Sequence, residues 1–489
     1  MSNNTIKRVN KYGEVFTPPC LIHELLDHLP PSIWKNPNTT ILDPCAGHGN
    51  FLSELLPRFM SGLSQKIRDP IARKRHILTN MITLIELNPT NIREIQANPN
   101  WPKSFLELGR NLIRGDFLDE SIELPHKTYT VILANPPYQA PKDEEYKGSM
   151  GNHTLWDFFL KKAIQMADHI GFITPSNWRR PEHPLYQEIV PKLTFLRIYS
   201  KQDGIRLFDV QSRFDLYVLN TRRGTPTSPI PLLIDEDGKQ YRSEIHPNKW
   251  PFLPNRNYQE IRPLLAKHGE QRLNVIFHST LYDARKLKSH KTIKYKYPVV
   301  HTITKTGVGI RYADHRDPSQ FGIPKVILNA NEKQYPILDD TGKYGMSQLS
   351  FGIPIRSKKH GEQIIGFLNS PGFQEILEAT KWGSFQTDYR MFKYFRRDFY
   401  CSKISITSKD GSGGATIEDP KLNGGMAGMI GAGGSTELST DIIPTSTPAP
   451  PPVLVLVVHS RNSEETKPII HFTKKYRSTK KNTTKRQKK

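Results

Sequence analysis

Residues 135–138, Asn-Pro-Pro-Tyr, are the part of the chain best suited to chemistry on an amine. The exocyclic amine of adenine is a poor nucleophile because its lone pair is delocalised into the ring. The side-chain oxygen of Asn135 and the carbonyl oxygen of Pro136 can accept both amino hydrogens and favour a pyramidal nitrogen, while Pro136 and Pro137 stiffen the backbone. Tyr138 can stack on an extruded base. The alternative is a plain Pro-Pro turn, since composition alone produces such a tetrapeptide in roughly one of twenty chains like this one.

Three further groups of residues suit the binding of a nucleoside cofactor. The segment Asp43–Phe51 contains two glycines that let the backbone approach a ligand closely, and a dinucleotide loop is disfavoured because Leu52 stands where its third glycine would be. Glu86 can accept both hydroxyls of a ribose. Asp116 can bond an adenine amino group, and Phe117 can stack on the ring. Their plain alternatives are a tight turn, a solvated glutamate, and a helix cap followed by a core phenylalanine.

The elements between these groups predict that the fold brings them together. Short apolar runs alternate with helical patterns, which is typical of an α/β sheet with crossover helices. The predicted strands are 40–42, 82–85, 130–133 and 171–174, the predicted helices are 52–60 and 155–167, and 214–219 alternates like a half-buried antiparallel strand. In an open α/β sheet ligands bind at the carboxyl ends of the strands, which is where the four groups stand.

With its motifs in this order, the segment 11–220 resembles the N6-adenine DNA methyltransferases of the gamma motif order, including the methylase parts of combined restriction-modification enzymes. The resemblance implies an α/β class I methyltransferase fold with a Rossmann-like seven-stranded sheet and S-adenosyl-L-methionine as the cofactor. It also implies direct transfer of a methyl group to N6 of an adenine flipped out of double-stranded DNA, with no covalent enzyme intermediate.

The resemblance also implies roles for individual residues. An N-terminal motif at 13–19 is similar to the one that closes over the methionine part of the cofactor. The implied cofactor-binding residues are Thr17, Pro18, Asp43, Ala46, Gly47, Gly49, Phe51, Glu86, Asp116 and Phe117. The implied catalytic residues are Asn135, Pro136, Pro137 and Tyr138. Tyr138 and Phe208 are expected to stack on the target base, with Phe214 as the second choice for the latter role.

Basic charge is concentrated after these motifs. The chain has a formal net charge of +22, and residues 281–400 contain twenty Lys and Arg against eleven Asp and Glu, a net of +9. We therefore predict a catalytic domain at 11–220, a linker at 221–250, and a mixed α+β target-recognition domain at 251–400 whose cations bind DNA phosphates. Residues 401–489, rich in Gly, Ser, Thr, Pro and finally Lys and Arg, are predicted to be a mostly disordered tail.

The composition also limits the setting of the protein. Three scattered cysteines predict neither a disulfide framework nor a metal site, and Cys20 and Cys45 are expected to be packing residues. No apolar run approaches a membrane span and no secretory leader is evident. We expect the cytoplasm or another reducing compartment that contains DNA, with a nuclear or viral setting left open by the basic tail.

Several functional alternatives stay open. The Asn-Pro-Pro-Tyr loop also occurs in relatives that methylate glutamine in proteins or an amine in structured RNA, although a large basic C-terminal segment favours DNA. A non-catalytic DNA-binding protein on a methyltransferase fold is a second alternative. A fused endonuclease is disfavoured because twelve residues precede Gly13 and no acidic-acidic-lysine cluster is evident, while a separate restriction partner remains open.

Overall fold

The computed structural model of the chain describes residues 16–99, 110–139, 154–222, 230–242, 249–281, 283–330, 335–383 and 387–404. Within these ranges no helix has both the length and the apolar character needed to cross a bilayer. From position 405 onward the predicted tail lies outside the described residues, and so do residues 223–229 and 243–248 of the predicted linker.

Helices and strands alternate in the first half of the described chain, and strands dominate the second half. The α-helices are α1 (Pro19–Asp27), α2 (Asn50–Gly62), α3 (Pro70–His76), α4 (Pro89–Ala97), α5 (Trp156–Met166), α6 (Tyr186–Ile189), α7 (Lys201–Phe208), α8 (Tyr258–Ile261), α9 (Lys358–Leu368) and α10 (Pro371–Ala379). The strands are β1 (Ile41–Asp43), β2 (Ile82–Glu86), β3 (Leu112–Arg114), β4 (Tyr129–Ala134), β5 (Ala167–Pro175), β6 (Leu193–Tyr199), β7 (Phe214–Asn220), β8 (Leu232–Ile234), β9 (Gln240–Arg242), β10 (Tyr297–Thr304), β11 (Gly307–Ala313), β12 (Lys325–Asn329), β13 (Ile337–Asp339), β14 (Gly345–Met346) and β15 (Ser350–Pro354).

The largest sheet has the strand order β3-β2-β1-β4-β5-β7-β6-β8-β9. Strands β1 to β5 pair in parallel, and β7 lies antiparallel between β5 and β6. The first seven strands have the arrangement of a class I methyltransferase, so the predicted fold class is confirmed. Two of its details need correction, because β8 and β9 extend the sheet to nine strands and therefore include part of the segment predicted as a linker. Pairing with β8 covers the edge that β6 would otherwise expose.

The sheet is apolar on both faces, which explains the continuous apolar runs of its parallel strands. Every residue of β1 and β2 is buried. Along β7 the side chains alternate between two hydrophobic clusters, with Phe214, Leu216 and Val218 in one cluster and Tyr217 and Leu219 in the other. Side-chain caps start two of the crossover helices, from Asp69 at α3 and from Asn88 at α4. These caps fix the residues at which the two crossover helices begin.

The described residues between 249 and 404 form two small sheets, with strand orders β11-β10-β14 and β13-β12-β15, and they also contain helices α8 to α10. One hydrophobic cluster runs from β4 of the large sheet to an aromatic group near the end of the described chain. That group includes Phe351, Phe373, Phe392, Phe395 and Phe399. The downstream half is therefore packed on the methyltransferase sheet through a shared core. Its role in target recognition stays a prediction.

Candidate active site

The carboxyl ends of four neighbouring strands, β3, β2, β1 and β4, form the edge that carries the candidate site. The loops after these strands are linked by backbone hydrogen bonds. Ala46 N donates to Ile85 O (2.9 Å) and Gly115 N donates to Glu86 O (3.2 Å). The sequence motifs at 43–51, 86 and 115–116 are therefore adjacent in space.

The loop after β1 wraps around the carboxylate of Glu86. Gly47 N donates to Glu86 Oε2 and Asn88 N donates to Glu86 Oε1, both at 2.7 Å. Gly47 and Gly49 have φ values of 55° and 78°, a left-handed conformation that favours glycine. Each carboxylate oxygen can accept more than one hydrogen bond, so Glu86 fixed in this way retains acceptor capacity for ribose hydroxyls.

Asp43 ends β1 and is almost fully buried, with 1% of its surface exposed. Its Oδ1 accepts a hydrogen bond from Cys45 N (3.1 Å), while Oδ2 is buried with no hydrogen-bond partner among the described residues. Burial, with a smaller contribution from the charge of Glu86, raises the pKa of Asp43 to about 8. A buried carboxyl with an unused oxygen fits a cationic ligand, and S-adenosyl-L-methionine carries a sulfonium and an ammonium group.

The Asn-Pro-Pro-Tyr loop follows β4 and meets the N-terminal motif. The side-chain amide of Asn135 donates from Nδ2 to Oγ1 of Thr17 (3.2 Å). Asn50 at the start of α2 donates from its own Nδ2 to the Thr17 carbonyl oxygen (3.0 Å). Because Thr17 receives the amide nitrogen of Asn135, the amide oxygen is oriented away from Thr17. The first three residues of the predicted motif, 13–15, lie outside the described residues, and Pro18 directly precedes α1.

The contact between Thr17 and Asn135 predicts a measurable positioning effect. Replacing Thr17 with valine keeps the shape but removes the acceptor, so we expect kcat for methyl transfer to fall about tenfold, the equivalent of one ordinary hydrogen bond. Thr17→Ser keeps the hydroxyl and is expected to stay within about threefold of the wild type. Single-turnover rates at saturating cofactor measure this effect. Equal rates for the valine and serine variants would show that Thr17 does not orient Asn135.

Tyr138 lies at the end of this loop, partly buried against the large core cluster. Its backbone oxygen accepts a hydrogen bond from Leu155 N (3.1 Å), which connects the loop to the start of α5. Burial, followed by the negative charge of Asp215, raises the pKa of the Tyr138 phenol. Tyr138 therefore remains a neutral ring, suited to stacking rather than to proton transfer.

Near Tyr138 lies a buried ionic group that the motif analysis missed. Asp215 on β7 accepts hydrogen bonds from Ser176 Oγ (2.8 Å) and Arg179 Nε (2.7 Å), and the side chains of Asp215 and Arg179 are fully buried. Two signals could have revealed the pair. Asp215 is the one charged residue in an otherwise apolar strand pattern, and residues 176–179 follow the predicted strand 171–174 after a single proline.

Three predicted aromatic residues, Phe51, Phe117 and Phe208, are buried in hydrophobic clusters, whereas Asp116 lies beside the strand ends that carry the site. Phe117 is 1% exposed and packs on Phe159 (ring centroids 5.4 Å apart), as the core alternative predicts. Asp116 accepts a hydrogen bond from Leu118 N (2.8 Å), as in a local turn. Phe51 is buried in the core between α2 and the sheet. The structure therefore gives stacking by Phe117 no support.

Phe208 is the remaining case. Its ring packs at right angles to that of Phe214 (centroids 5.0 Å apart), and both belong to the cluster on the sheet face opposite Tyr217. Tyr138 packs against the other cluster. Phe208 and Phe214 therefore belong to a different cluster from the one that Tyr138 contacts, and stacking of Phe208 on a target base stays a prediction.

Cys45 lies within the loop after β1, where its thiol donates a weak hydrogen bond to the Asn135 carbonyl oxygen (3.6 Å). Burial, followed by the charges of Asp43 and Glu86, raises the pKa of this thiol well above its ordinary value. Cys45 is thus held as a neutral packing residue, in agreement with the expectation that no cysteine acts as a nucleophile.

Comparison with known proteins adds independent information. Residues 54–194 match the family model of the Eco57I restriction-modification methylases. An uncharacterized adenine-specific methylase of Mycoplasma pneumoniae is 39% identical over 90 residues, which cover 17% of this chain and 21% of that protein. The chain therefore matches about a fifth of the length of this relative.

Solved structures are similar at low identity. The M protein of the type I restriction enzyme EcoKI is 17% identical, with a TM-score of 0.34 over 44% of each chain. The type IIL restriction-modification enzyme MmeI, solved in complex with DNA, is 12% identical, with a TM-score of 0.41 over 80% of this chain and 67% of that one. The resemblance predicted from the sequence is confirmed as a similarity: residues 54–194 match the Eco57I restriction-modification methylase model, and a stretch of 90 residues is similar to an adenine-specific methylase.

Proposed function

We propose that this protein is a site-specific DNA methyltransferase that transfers a methyl group from S-adenosyl-L-methionine to N6 of a flipped-out adenine in double-stranded DNA. The observation that carries the proposal is the convergence of Asn135, Thr17 and Asp43 at one edge of the sheet, with Glu86 at the end of the neighbouring strand β2. An amine-binding loop there adjoins a buried carboxyl suited to a cationic cofactor. Few other reactions require an amine-binding loop next to a buried carboxyl.

The cofactor would be held by the loop after β1. Glu86 would accept the ribose hydroxyls while the backbone of Gly47 keeps its carboxylate in place, and Asp43 would balance the positive charge. When bound, S-adenosyl-L-methionine supplies an electrophilic methyl group on its sulfonium sulfur. The phenylalanine at position 16 stacks on His48 (3.7 Å between ring centroids) and lies next to Gly47 of the same loop.

The target amine would be held by the loop after β4. The Asn135 side-chain oxygen and the Pro136 carbonyl oxygen accept its two hydrogens, and Tyr138 stacks on the base. Thr17 fixes the orientation of the Asn135 amide through the 3.2 Å hydrogen bond. After transfer, the extra proton on nitrogen is lost to water, so no residue needs to act as a strong base.

A positive surface formed by both halves of the protein supports DNA as the polymer. Arg180 lies five residues after the end of β5, and Arg390 lies in the downstream half of the chain. Both lie near His183, whose pKa is lowered to about 4 by burial, then by these two arginines and Lys161. Asp388 accepts a hydrogen bond from Arg390 Nε (2.8 Å) and offsets part of this charge, so the net charge of +9 over residues 281–400 is the stronger support for a bound phosphate backbone. The proposal also includes two features of the setting. The partner would be a separate restriction endonuclease, and the protein would be located in the cytoplasm.

Methyl transfer to several polymers tests the proposal. We expect labelled methyl from S-adenosyl-L-methionine to enter unmethylated duplex DNA, and not RNA or protein, when wild-type chain is incubated with each in parallel. The Asn135→Ala variant is expected to bind the cofactor without transferring its methyl group. Label in RNA or in protein glutamine would replace the proposal with one of the two rival enzymes. Cofactor binding without transfer to any polymer would favour a non-catalytic protein.

Cofactor binding is also expected to depend on pH through Asp43. Because the pKa of Asp43 in the free protein is about 8, its carboxyl is mostly protonated at pH 7. A cationic cofactor stabilises the carboxylate, so binding releases a proton, and the affinity weakens as pH falls below 8, by at most about tenfold per pH unit. Calorimetry in two buffers of different ionisation enthalpy measures the released proton. Asp43→Asn should abolish the release, and a pH-independent Kd for the wild type would contradict the assignment.

A further inference from the structure

The most positive short segment of the described chain is residues 284–296, here called the basic turn. It contains six Lys and Arg residues and no Asp or Glu. At its tip, Ile293 is 99% exposed, more than any other large hydrophobic side chain among the described residues. An isoleucine left fully in water lacks the favourable free energy that burial of its side chain would give. The basic turn thus combines six cations with one fully exposed apolar side chain, which suits the binding of an anionic partner.

The tip of the basic turn is a defined structure. Thr292 N donates to Tyr295 O and Tyr295 N donates to Thr292 Oγ1, both at 2.9 Å, so Ile293 and Lys294 form the end of a closed turn. The ammonium groups of Lys288 and Lys294 each lie 5.7 Å from the centre of the Tyr295 ring. The Tyr295 ring thus holds two cations close to the turn that carries the exposed isoleucine.

Both ends of the basic turn are anchored to the protein. Lys288 and Tyr312 exchange backbone hydrogen bonds (3.0 and 2.8 Å), which attach the turn to β11. Leu287 is buried in a small core with Val299 and Phe321, and β10 begins directly after the turn, at Tyr297. Ile293 is therefore presented on a fixed base, and little chain entropy needs to be lost when it binds.

These features match one partner, duplex DNA, whose surface is anionic and whose interior is a stack of apolar bases. Apolar side chains such as isoleucine insert between base steps in proteins that kink the duplex, while nearby cations hold the phosphates. We propose that Ile293 acts as a wedge that inserts between base pairs of bound DNA, with the lysines of the basic turn on the flanking phosphates. The proposal takes from the proposed function only that the partner is duplex DNA.

A wedge of this kind would assist extrusion of a base. Flipping a base requires its unstacking, and partial unstacking by an inserted side chain lowers the free energy that this step needs. The basic turn would then contribute to the methylation rate as well as to affinity. Its lysines would make binding fall with salt, whereas Ile293 would act mainly on the shape of the DNA.

DNA unwinding measures insertion without knowledge of the recognition sequence. Closed circular plasmid is relaxed by a topoisomerase in the presence of saturating full-length chain, the protein is removed, and the change in linking number is counted. We expect the wild type to unwind the plasmid, Ile293→Leu to retain the effect, and Ile293→Ala to lose at least half of it at equal occupancy. Stability should be unaffected because the side chain is exposed.

The matched control is Ile71→Ala. Ile71 on α3 is also an exposed isoleucine, 71% exposed, and basic residues surround it in the sequence. The Ile71→Ala variant should unwind DNA as the wild type does. Equal unwinding by wild type and Ile293→Ala, binding of duplex by the wild type without unwinding, or an equal loss in Ile71→Ala would each overturn the wedge.

Methyl transfer, scored separately, distinguishes this proposal from the proposed function. Unwinding that depends on Ile293 in a wild type that transfers no methyl group supports the wedge and contradicts the enzyme. Methyl transfer to DNA with unwinding that does not depend on Ile293 does the reverse. Ile293-dependent binding to phosphatidylserine vesicles, with no unwinding of DNA, would overturn the wedge in favour of a membrane surface.

Discussion

Asn135→Ala is expected to lower kcat for methyl transfer to DNA by about 100- to 1,000-fold, while the Kd for S-adenosyl-L-methionine stays within about threefold. The expected loss is large because the Asn135 oxygen would act on the nucleophilic nitrogen itself. The effect on cofactor binding is small because the residues proposed to hold the cofactor belong to the loops after β1 and β2. Single-turnover methylation and calorimetry of cofactor binding measure the two quantities.

A second amide provides the control for Asn135. Asn50 also bonds to Thr17, through the backbone oxygen, and it has no proposed contact with the target amine. Asn50→Ala should therefore keep kcat within about threefold, the effect of a weakened neutral hydrogen bond. An Asn135→Ala protein that retains more than about a tenth of the wild-type kcat would exclude Asn135 from the role argued above.

Arg179→Ala is expected to destabilise the folded protein by about 3–5 kcal/mol. Removing the guanidinium leaves Asp215 charged and buried, and it also leaves several acceptors without donors. Arg179 donates to the carbonyl oxygens of Leu253 and Pro254 (3.0 Å each) and to Asn255 Oδ1 (2.8 Å). The Arg179 side chain thereby connects the segment after β5 to residues 253–255 of the downstream half. Its loss should therefore lower the stability of both parts of the fold. The midpoint of urea denaturation reports the change.

An exposed ion pair in the same protein is the control for Arg179. Arg206 contacts Asp203 at 2.7 Å on α7, with 65% of the arginine side chain exposed. Arg206→Ala should cost less than about 1 kcal/mol, because water screens and replaces such a pair. The double variant Arg179→Met with Asp215→Leu should recover part of the loss, since it removes both buried charges. Similar losses in Arg179→Ala and Arg206→Ala would contradict the role given to burial.

The strands that position the site were predictable because each is a continuous apolar run buried on both faces. The predicted runs at 82–85 and 130–133 fall within β2 and β4, and the alternation at 214–219 matches antiparallel β7. The predicted helix at 52–60 lies within α2. Strand β3 was not predicted because it has only three residues, one of them the exposed Arg114. Such a strand is specified mainly by its pairing with β2.

The limits of prediction at the site have a common physical cause. Motifs at strand ends could be found because the topology of an α/β sheet brings those ends together. Whether an aromatic ring is available to a ligand depends instead on packing partners distant in the sequence, as Phe117 against Phe159 shows. The pairing of Arg179 with Asp215, and its extension to 253–255, likewise depends on the completed fold.

Identification of the methylated nucleoside tests the central claim most directly. Duplex DNA treated with the wild-type chain and S-adenosyl-L-methionine is digested to nucleosides and analysed by mass spectrometry, in parallel with DNA treated with Asn135→Ala. The proposed function predicts N6-methyl-2′-deoxyadenosine in the first digest and none in the second. A digest in which a methylated cytosine is the sole product, or one with no methylated nucleoside, would contradict it.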